Sequence, residues 1–572
     1  MRRTGWAAVV AGCALMAHAG TAGAAPIDAV AEEDYSIFTN WPTVGTLIGN
    51  TNPQPVGDIN GDGLDDVVLS TTRSADASTP FSFQPRVVFG RRGVRTDIDL
   101  TALGGRGFQI VASGSRGIGG VKPAGDLNGD GRDDLVVTLS TSGEDAPRSR
   151  VVLGTAATST IDVDALGSKG FVAPDDVLLP GAGRGDINGD GYDDALALRV
   201  LDWSTNDFRP LVFYGGPALA GASASAINTR LVTFTGPSPA AILGDVNDDG
   251  IDDVAAGFDA ETSGGASTGA VVFGRRVWGP GATNDMTSAP RLQLKVGYRW
   301  GQEPWTPYPA GDVNGDGKVD IAVPILGSWD GMTGEIQVVF GRGAGSLDLD
   351  QLGSAGLRLT GFTAADYGDP GLLSPVGDFD GDGRDELAAT GGRVPSQLVS
   401  GRTQGGTIDV AHPNQTTQRT LVGAGGSPTL FGPVGDLDGD GAGDLAAVPD
   451  DNDPPRLAVI AGSDRIAPTV TGFGLSATTF RTGATPTSVP LGTTVRGTLS
   501  EDVTLQLSLR KADGTKLATL KIPVRRGARS FFFDGKVNGV PLAPGQYQLI
   551  PVPTDAAGNQ SVGTIARFTV VR

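Results

Sequence analysis

Residues 57–66 read GDINGDGLDD. Four aspartates, an asparagine and three glycines stand against two apolar side chains. The string returns along the chain as DLNGDGRDD at 126, DINGDGYDD at 186, DVNDDGIDD at 245, DVNGDGKVD at 312, DFDGDGRDE at 378 and DLDGDGAGD at 436. The first aspartates are 68, 60, 59, 67, 66 and 58 residues apart. A second string keeps step with the first: RVVFG at 86, RVVLG at 150, LVFYG at 211, AVVFG at 270, QVVFG at 337, QLVSG at 397 and LAVIAG at 457. Recurrence at a fixed period sets the reading of everything else.

In the first copy Asp58, Asn60 and Asp62 alternate, so their side chains can turn to one side of a tight loop. Gly63 permits the positive φ that wraps it, the Leu64 carbonyl can point inward, and Asp66 closes the cage. Hard oxygen donors at positions 1, 3, 5, 7 and 9 suit Ca²⁺. Softer metals favour His or Cys, and His18, His412 and Cys13 are the whole supply. An EF-hand would need an acid at position 12 between helices; here Leu69 and Val137 stand there in the first two copies.

Each loop is followed by a short apolar run such as VVLS or LVVTL, bounded by turn residues, which predicts a strand. The VVFG strings predict a second strand, phrases such as GFQIVAS at 107 a third, and the PVGD approach a fourth. Four short strands per repeat of about 60 residues is one propeller blade. The expected fold is therefore all-β: a seven-bladed β-propeller over 33–462, followed by a small β-sandwich over 463–572. The last repeat has no third-type strand after Gly462, and DYSIFTNWPTVGTLI at 34–48 precedes the first. These residues are expected to complete the seventh blade, because an open ring leaves strand edges exposed.

The repeats resemble the FG-GAP (integrin α-chain-like, VCBS-type) repeats of seven-bladed propellers, some of which serve cell adhesion. That resemblance implies about seven Ca²⁺, one per loop. The implied side-chain ligands are Asp58, Asn60, Asp62 and Asp66; Asp126, Asn128, Asp130 and Asp134; Asp186, Asn188, Asp190 and Asp194; Asp245, Asn247, Asp249 and Asp253; Asp312, Asn314, Asp316 and Asp320; Asp378, Asp380, Asp382 and Glu386; and Asp436, Asp438, Asp440 and Asp444. The implied backbone ligands are Leu64, Arg132, Tyr192, Ile251, Lys318, Arg384 and Ala442. Animal integrins do not fill every blade with such a loop, and this chain has no inserted domain of suitable length. From about Ile466 the acidic loop disappears. VTLQLSLRKADG at 503 alternates and turns at Asp513-Gly514, and the segment resembles a bacterial Ig-like module of the FlgD-Ig kind.

The chain of 572 residues carries a formal net charge of −20. An acidic surface repels nucleic acid and anionic lipid and attracts cations. The expected ligand positions of the loops hold 23 of the carboxylates, so much of the acidity is placed where metal would neutralise it. Residues 1–24 read as a secretory signal peptide cleaved after Ala24; a lipobox at Val10-Ala11-Gly12-Cys13 is the rival reading. No other segment reaches the ~20 apolar residues of a membrane span. With Cys13 removed, no disulfide supports this exported chain.

Nucleophilic chemistry has little to draw on: His412 is the one histidine beyond the leader, and no G-x-S-x-G elbow occurs. Arg184-Gly185-Asp186 spells RGD, but Asp186 is committed to the third loop. Aromatics gather in YRWGQEPWTPYP at 298–309 and at Trp278 and Trp329 without keeping the repeat period, which favours packing over a sugar platform. The expected function is non-enzymatic binding of an extracellular glycan or protein by a secreted monomer. A Ca²⁺-dependent polysaccharide lyase or hydrolase on the same scaffold is the alternative.

Overall fold

The computed structural model describes residues 27–28, 35–38, 46–48, 53–73, 82–93, 96–114, 117–140, 148–181, 183–205, 207–235, 239–259, 267–282, 284–297, 302–304, 306–327, 333–363, 373–391, 394–413, 418–422, 431–447, 456–462, 468–482, 489–499, 503–524, 527–537, 540–554 and 560–571. Residues 1–26, where the signal peptide was expected, Trp300, Trp305, Trp329 and much of 34–48 lie outside these. The regular structure of the described residues is almost entirely strand, with one short α-helix at Ala224–Asn228 and three single-turn 3-10 helices. None of its helices is long and apolar enough to cross a membrane.

Each acidic loop joins two antiparallel strands of its own sheet. In the first sheet Gln54–Gly57 pairs Asp66–Arg73, then Ser82–Val88, then Gly107–Val111. The second repeats the order with Ile118–Gly125, Asp134–Leu139, Arg148–Val152 and Gly170–Val172. The sheets around the loops at 186, 245, 312 and 378 follow the same meander. The sheet of the loop at 436 contains Phe431–Gly435, Asp444–Ala447 and Arg456–Ile460 from the end of the repeat region. Its fourth strand is Tyr35–Phe38, antiparallel to Arg456–Ile460. Thr46–Ile48 instead pairs with Thr71–Arg73 of the first sheet. The expectation that 34–48 serves the last sheet therefore applies only to its first part, and the second part belongs to the next sheet along.

A fifth, parallel strand extends several sheets. Ile161–Asp162 adds to Gly107–Val111, Gly345–Asp348 to Arg291–Val296, and Gly406–Asp409 to Gly356–Thr363. Ile98–Asp99 adds to Tyr35–Phe38, and Ile27–Asp28 to Gln418–Val422. The N-terminal stretch thus supplies strands to both of the last two sheets.

The apolar runs are continuous because both faces of each sheet are covered. Val68 packs with Leu135, Val137 and Val152 of the second sheet. Its neighbours Val67 and Leu69 point the other way, into a cluster with Val434, Leu437 and Val459 of the last. Successive side chains of a strand face opposite sides, so a strand between two neighbours must be apolar at every position. Similar clusters join each remaining pair of successive sheets.

The C-terminal residues form two larger sheets around one core, and Lys536–Val537 pairs with Val540–Pro541 in a separate two-stranded sheet. Val470–Leu475, Thr493–Leu499 and Gly527–Phe533 make the first. Thr479–Arg481, Ala566–Val571, Gly545–Thr554, Val503–Lys511 and Lys516–Val524 make the second. Phe480 and Tyr547 stack on Phe568 at 5.1 and 5.6 Å in the shared core.

Candidate metal centres

The first aspartate of each loop organises the turn by accepting backbone N–H groups. Asp58 takes Asp62 N–H on Oδ1 at 3.0 Å and Gly63 N–H on Oδ2 at 2.7 Å. Asp126, Asp186, Asp245, Asp312, Asp378 and Asp436 each accept the corresponding two. The fifth-position carboxylate accepts the N–H of position 7, as Asp62 does from Leu64 at 3.1 Å. That fixes the position-7 peptide at the loop. Position 4 also takes a left-handed conformation, at φ 79° for Gly61 and 65° for Asp248. Asp248 is one of only two non-glycine residues with positive φ among the described residues, so the fourth loop accepts local strain that glycine relieves elsewhere.

The ninth-position carboxylate is fully buried in most copies: Asp66, Asp134, Asp194, Asp253, Asp320 and Asp444 are 0 % exposed. It is tied to the second recurring string. Gly90 N–H donates to Asp66 at 2.9 Å, and Gly154, Gly215, Gly274, Gly341, Gly401 and Gly462 do the same for their own loops. This bond is why the VVFG glycine keeps step with the acidic loop. At Gly90 a Cβ would stand 2.4 Å from the Asp65 carbonyl oxygen.

Burial, with the like charges of positions 1 and 5 beside it, pushes the ninth carboxyl far up. Asp66 and Asp134 reach about 8 and Asp194 about 9. Glu386 and Asp444 also reach about 8, through burial first and then Asp380 and Asp438. A buried carboxylate facing further carboxylates is costly unless paired with cation. In two loops the ligand atoms of three acids all lie within 4.8 Å of one another: Asp378, Asp380 and Glu386, and Asp436, Asp438 and Asp444. These clusters could hold a metal ion. In the other loops Asn replaces the third-position acid, and Asn128 and Asn188 donate to Asp130 and Asp190 at 3.2 and 3.1 Å.

The eighth position was left without a role in the sequence. The structure gives it one: it joins each loop to the preceding one. Asp133 Oδ2 accepts the N–H of Asp58 at 2.8 Å, and Asp133 N–H donates to the Asp58 carbonyl at 2.9 Å. Asp193 joins Asp126, Asp252 joins Asp186 and Asp385 joins Asp312 through both bonds as well. Val319 and Gly443 lack the carboxylate and keep only the main-chain bonds, to Asp245 and Asp378. Asp65 makes both bonds to Asp436. The doubled Asp-Asp of the motif was the available signal.

The glycine preceding each loop answers this contact. Gly57 has φ 77°, and a Cβ there would lie 1.9 Å from Asp133 Oδ2. At Gly377, where the neighbour is Gly443, nothing lies closer than 3.6 Å.

The other motifs fall into place locally. Asp186 of the RGD string accepts the Asp190 and Gly191 N–H groups, while Arg184 donates to the Val56 carbonyl at 3.2 Å. Trp278 is 4 % exposed against Phe234. His412 is exposed and bonded to Asp409 at 3.0 Å.

No protein-family model matches the chain, and no curated protein matches it. Among solved structures, dimeric latent PorU from Porphyromonas gingivalis aligns at 11% identity and TM-score 0.16, covering 93% of this chain and 34% of that one. This chain thus spans about a third of the PorU chain. A tetra-tandem repeat from the extending region of a large adhesion protein aligns at 11% identity and TM-score 0.17, covering 94% and 99%. Likeness at this level carries no argument about fold or function.

Proposed function

We propose that the chain is a secreted, Ca²⁺-loaded, seven-bladed propeller of the FG-GAP kind with an Ig-like module behind it, and that it binds an extracellular glycan or protein without altering it. The observation that carries the reading is the circuit of loops. Seven acidic loops are linked one to the next by eighth-position contacts, and the last is linked to the first. Seven clusters of core residues connect the sheets in the same order.

Ca²⁺ in each loop would be held by the side chains of positions 1, 3, 5 and 9 and the carbonyl of position 7. It would supply the positive charge that the buried ninth carboxylate lacks. The chain's own residues wrap the loop, bury the ninth acid and latch neighbouring loops. Metal binding therefore bears on the rigidity of the whole ring, and a ligand surface on the ring depends on it without touching metal. Loops away from the metal side vary in length, as the 58–68 residue spacing records, so they can be shaped to a partner.

The test is incubation of the purified protein with a panel of polysaccharides and extracellular proteins, with and without Ca²⁺. Reversible, Ca²⁺-dependent retention with no new reducing ends or unsaturated products supports the binding reading. Turnover would replace it with the lyase or hydrolase alternative.

A further inference from the structure

The charge of the chain is divided unevenly. Residues 463–572 hold 13 Lys and Arg against 6 Asp and Glu, whereas residues 1–462 hold 31 against 58. The C-terminal sandwich is thus a basic module on an acidic protein, and it is the part of the chain whose field favours an acidic ligand.

The five-stranded sheet of the sandwich carries a polar cleft on the face turned away from the core. Its lining comes mainly from Thr479–Arg481, Ala566–Val571 and Gly545–Thr554, which are neighbours in the sheet. Phe480, Tyr547 and Phe568 point into the core and are buried, so the residues on either side of them point outward. The register sets these outward residues in two rows. Thr479 stands opposite Thr569, and Thr569 opposite Gln546. In the next row Arg567 stands opposite Gln548. With Thr478 and Ala512 they line a space of about 400 Å³.

The hydrogen-bonding capacity of this cleft is unspent. Among the described residues, the side chains of Thr478, Thr479, Gln546, Gln548, Arg567 and Thr569 have no hydrogen-bond or ion-pair partner. Three hydroxyls, two amides and one guanidinium thus face one concavity, and no carboxylate lines it. Arg510, beyond Gln548 in the second row, already donates to Ser508 at 3.4 Å, so Arg567 is the cation left for a ligand. The main chain beneath offers nothing further. Ala566–Val571 and Gly545–Thr554 are interior strands of their sheet, and recognition here is by side chains.

We propose that this cleft binds a uronate residue of an acidic extracellular polysaccharide; the proposal rests on the glycan-binding reading above and names the sugar class and the site. The sugar carboxylate pairs with the Arg567 guanidinium, whose parallel N–H groups match its two oxygens. The ring hydroxyls meet the Gln546 and Gln548 amides, each of which both donates and accepts, and the hydroxyls of Thr479 and Thr569. Neighbouring strands lie about 4.8 Å apart, which is comparable with one sugar residue in a chain, so the Thr479–Thr569–Gln546 row follows the hydroxyls while Arg567 reads the acid. A neutral glycan would leave the guanidinium without a counter-ion. An acidic peptide would satisfy Arg567, but it would meet no apolar pocket among these side chains and no free strand edge at Ala566–Val571 or Gly545–Thr554.

The experiment titrates short galacturonate oligomers into the full-length protein at fixed Ca²⁺, by isothermal titration calorimetry, with neutral galactose oligomers and short polyglutamate as comparisons. Galacturonate should bind at least tenfold more tightly than either. Arg567→Glu should weaken it tenfold or more, and Arg567→Lys, which keeps the charge without the paired donors, should fall between. Gln548→Ala should weaken it several-fold while the preference for acid persists. Lys521→Glu, on the last strand of the same sheet, should leave it unchanged. Unshifted melting curves would verify that the variants fold. Galacturonate binding that Arg567→Glu leaves intact would overturn this site while the glycan reading stands. No galacturonate binding, or binding of the neutral oligomer or of polyglutamate as tight as that of galacturonate, would overturn the sugar class. If the wider polysaccharide panel also showed no retention, the glycan reading would fall with it.

Discussion

Asp65 Oδ2 accepts the main-chain N–H of Asp436 at 3.0 Å, although 371 residues separate them. Asp65 N–H returns a bond to the Asp436 carbonyl at 3.3 Å. These bonds link the first acidic loop to the last, as Asp133 links the second to the first. Asp65→Ala should remove the side-chain bond and leave a half-buried N–H without its acceptor, costing about 1 kcal/mol. Denaturant unfolding monitors this. Asp65→Asn keeps an acceptor and should cost less, and equal stability of all three proteins would show that the link does not stabilise the fold.

Gly57 and Gly377 occupy the same place in their repeats with similar φ, 77° and 85°. Alanine at either site meets a left-handed backbone penalty of roughly 1–2 kcal/mol. Only Gly57 also faces a carboxylate, so Gly57→Ala should be the more destabilising. Melting temperatures of the two variants decide this. Equal losses would mean that the Asp133 contact adds nothing.

Without metal, pH should act through the ninth-position acids. Their folded values are raised, to about 8 for Asp66, Asp134, Asp253 and Asp444, about 9 for Asp194 and about 7 for Asp320. A raised carboxyl favours the folded state while protonated, and that stability is lost as pH climbs from the unfolded value near 4 through the folded value. Chelator-treated protein should therefore melt at a lower temperature at pH 8 than at pH 5. Millimolar Ca²⁺ should reverse the trend by stabilising the ionised form. A chelated protein with a flat profile would contradict the burial and repulsion described here.

The strands were legible because sheets covered on both faces write continuous apolar runs, and the loops were legible because their donors alternate around a fixed glycine. The eighth-position latch was harder to see. Asp65, Asp133 and Asp193 look like further acids of their own loops, and their partners lie in other repeats, the preceding one for Asp133 and Asp193 and the last for Asp65. Ile27–Asp28 was missed for a similar reason. The phrase Ile-Asp recurs at 98 and 161, and as Leu-Asp and Ile-Asp at 347 and 408, but two residues are too few to signal a strand until a neighbouring edge is known. The division of 34–48 between two sheets depends on tertiary pairing that local composition does not encode.

The count of Ca²⁺ per chain, measured by equilibrium dialysis of chelator-stripped protein followed by elemental analysis, tests the account most directly. It predicts about seven ions, held in the ~10⁻⁴–10⁻³ M range of extracellular modules. The four-carboxylate loops at 378 and 436 should fill first, and Asp378→Asn with Asp436→Asn should selectively weaken the first two. Saturation at two ions would confine metal to those clusters and contradict the seven-loop account, and no bound ion with a melting curve indifferent to chelator would remove its metal altogether.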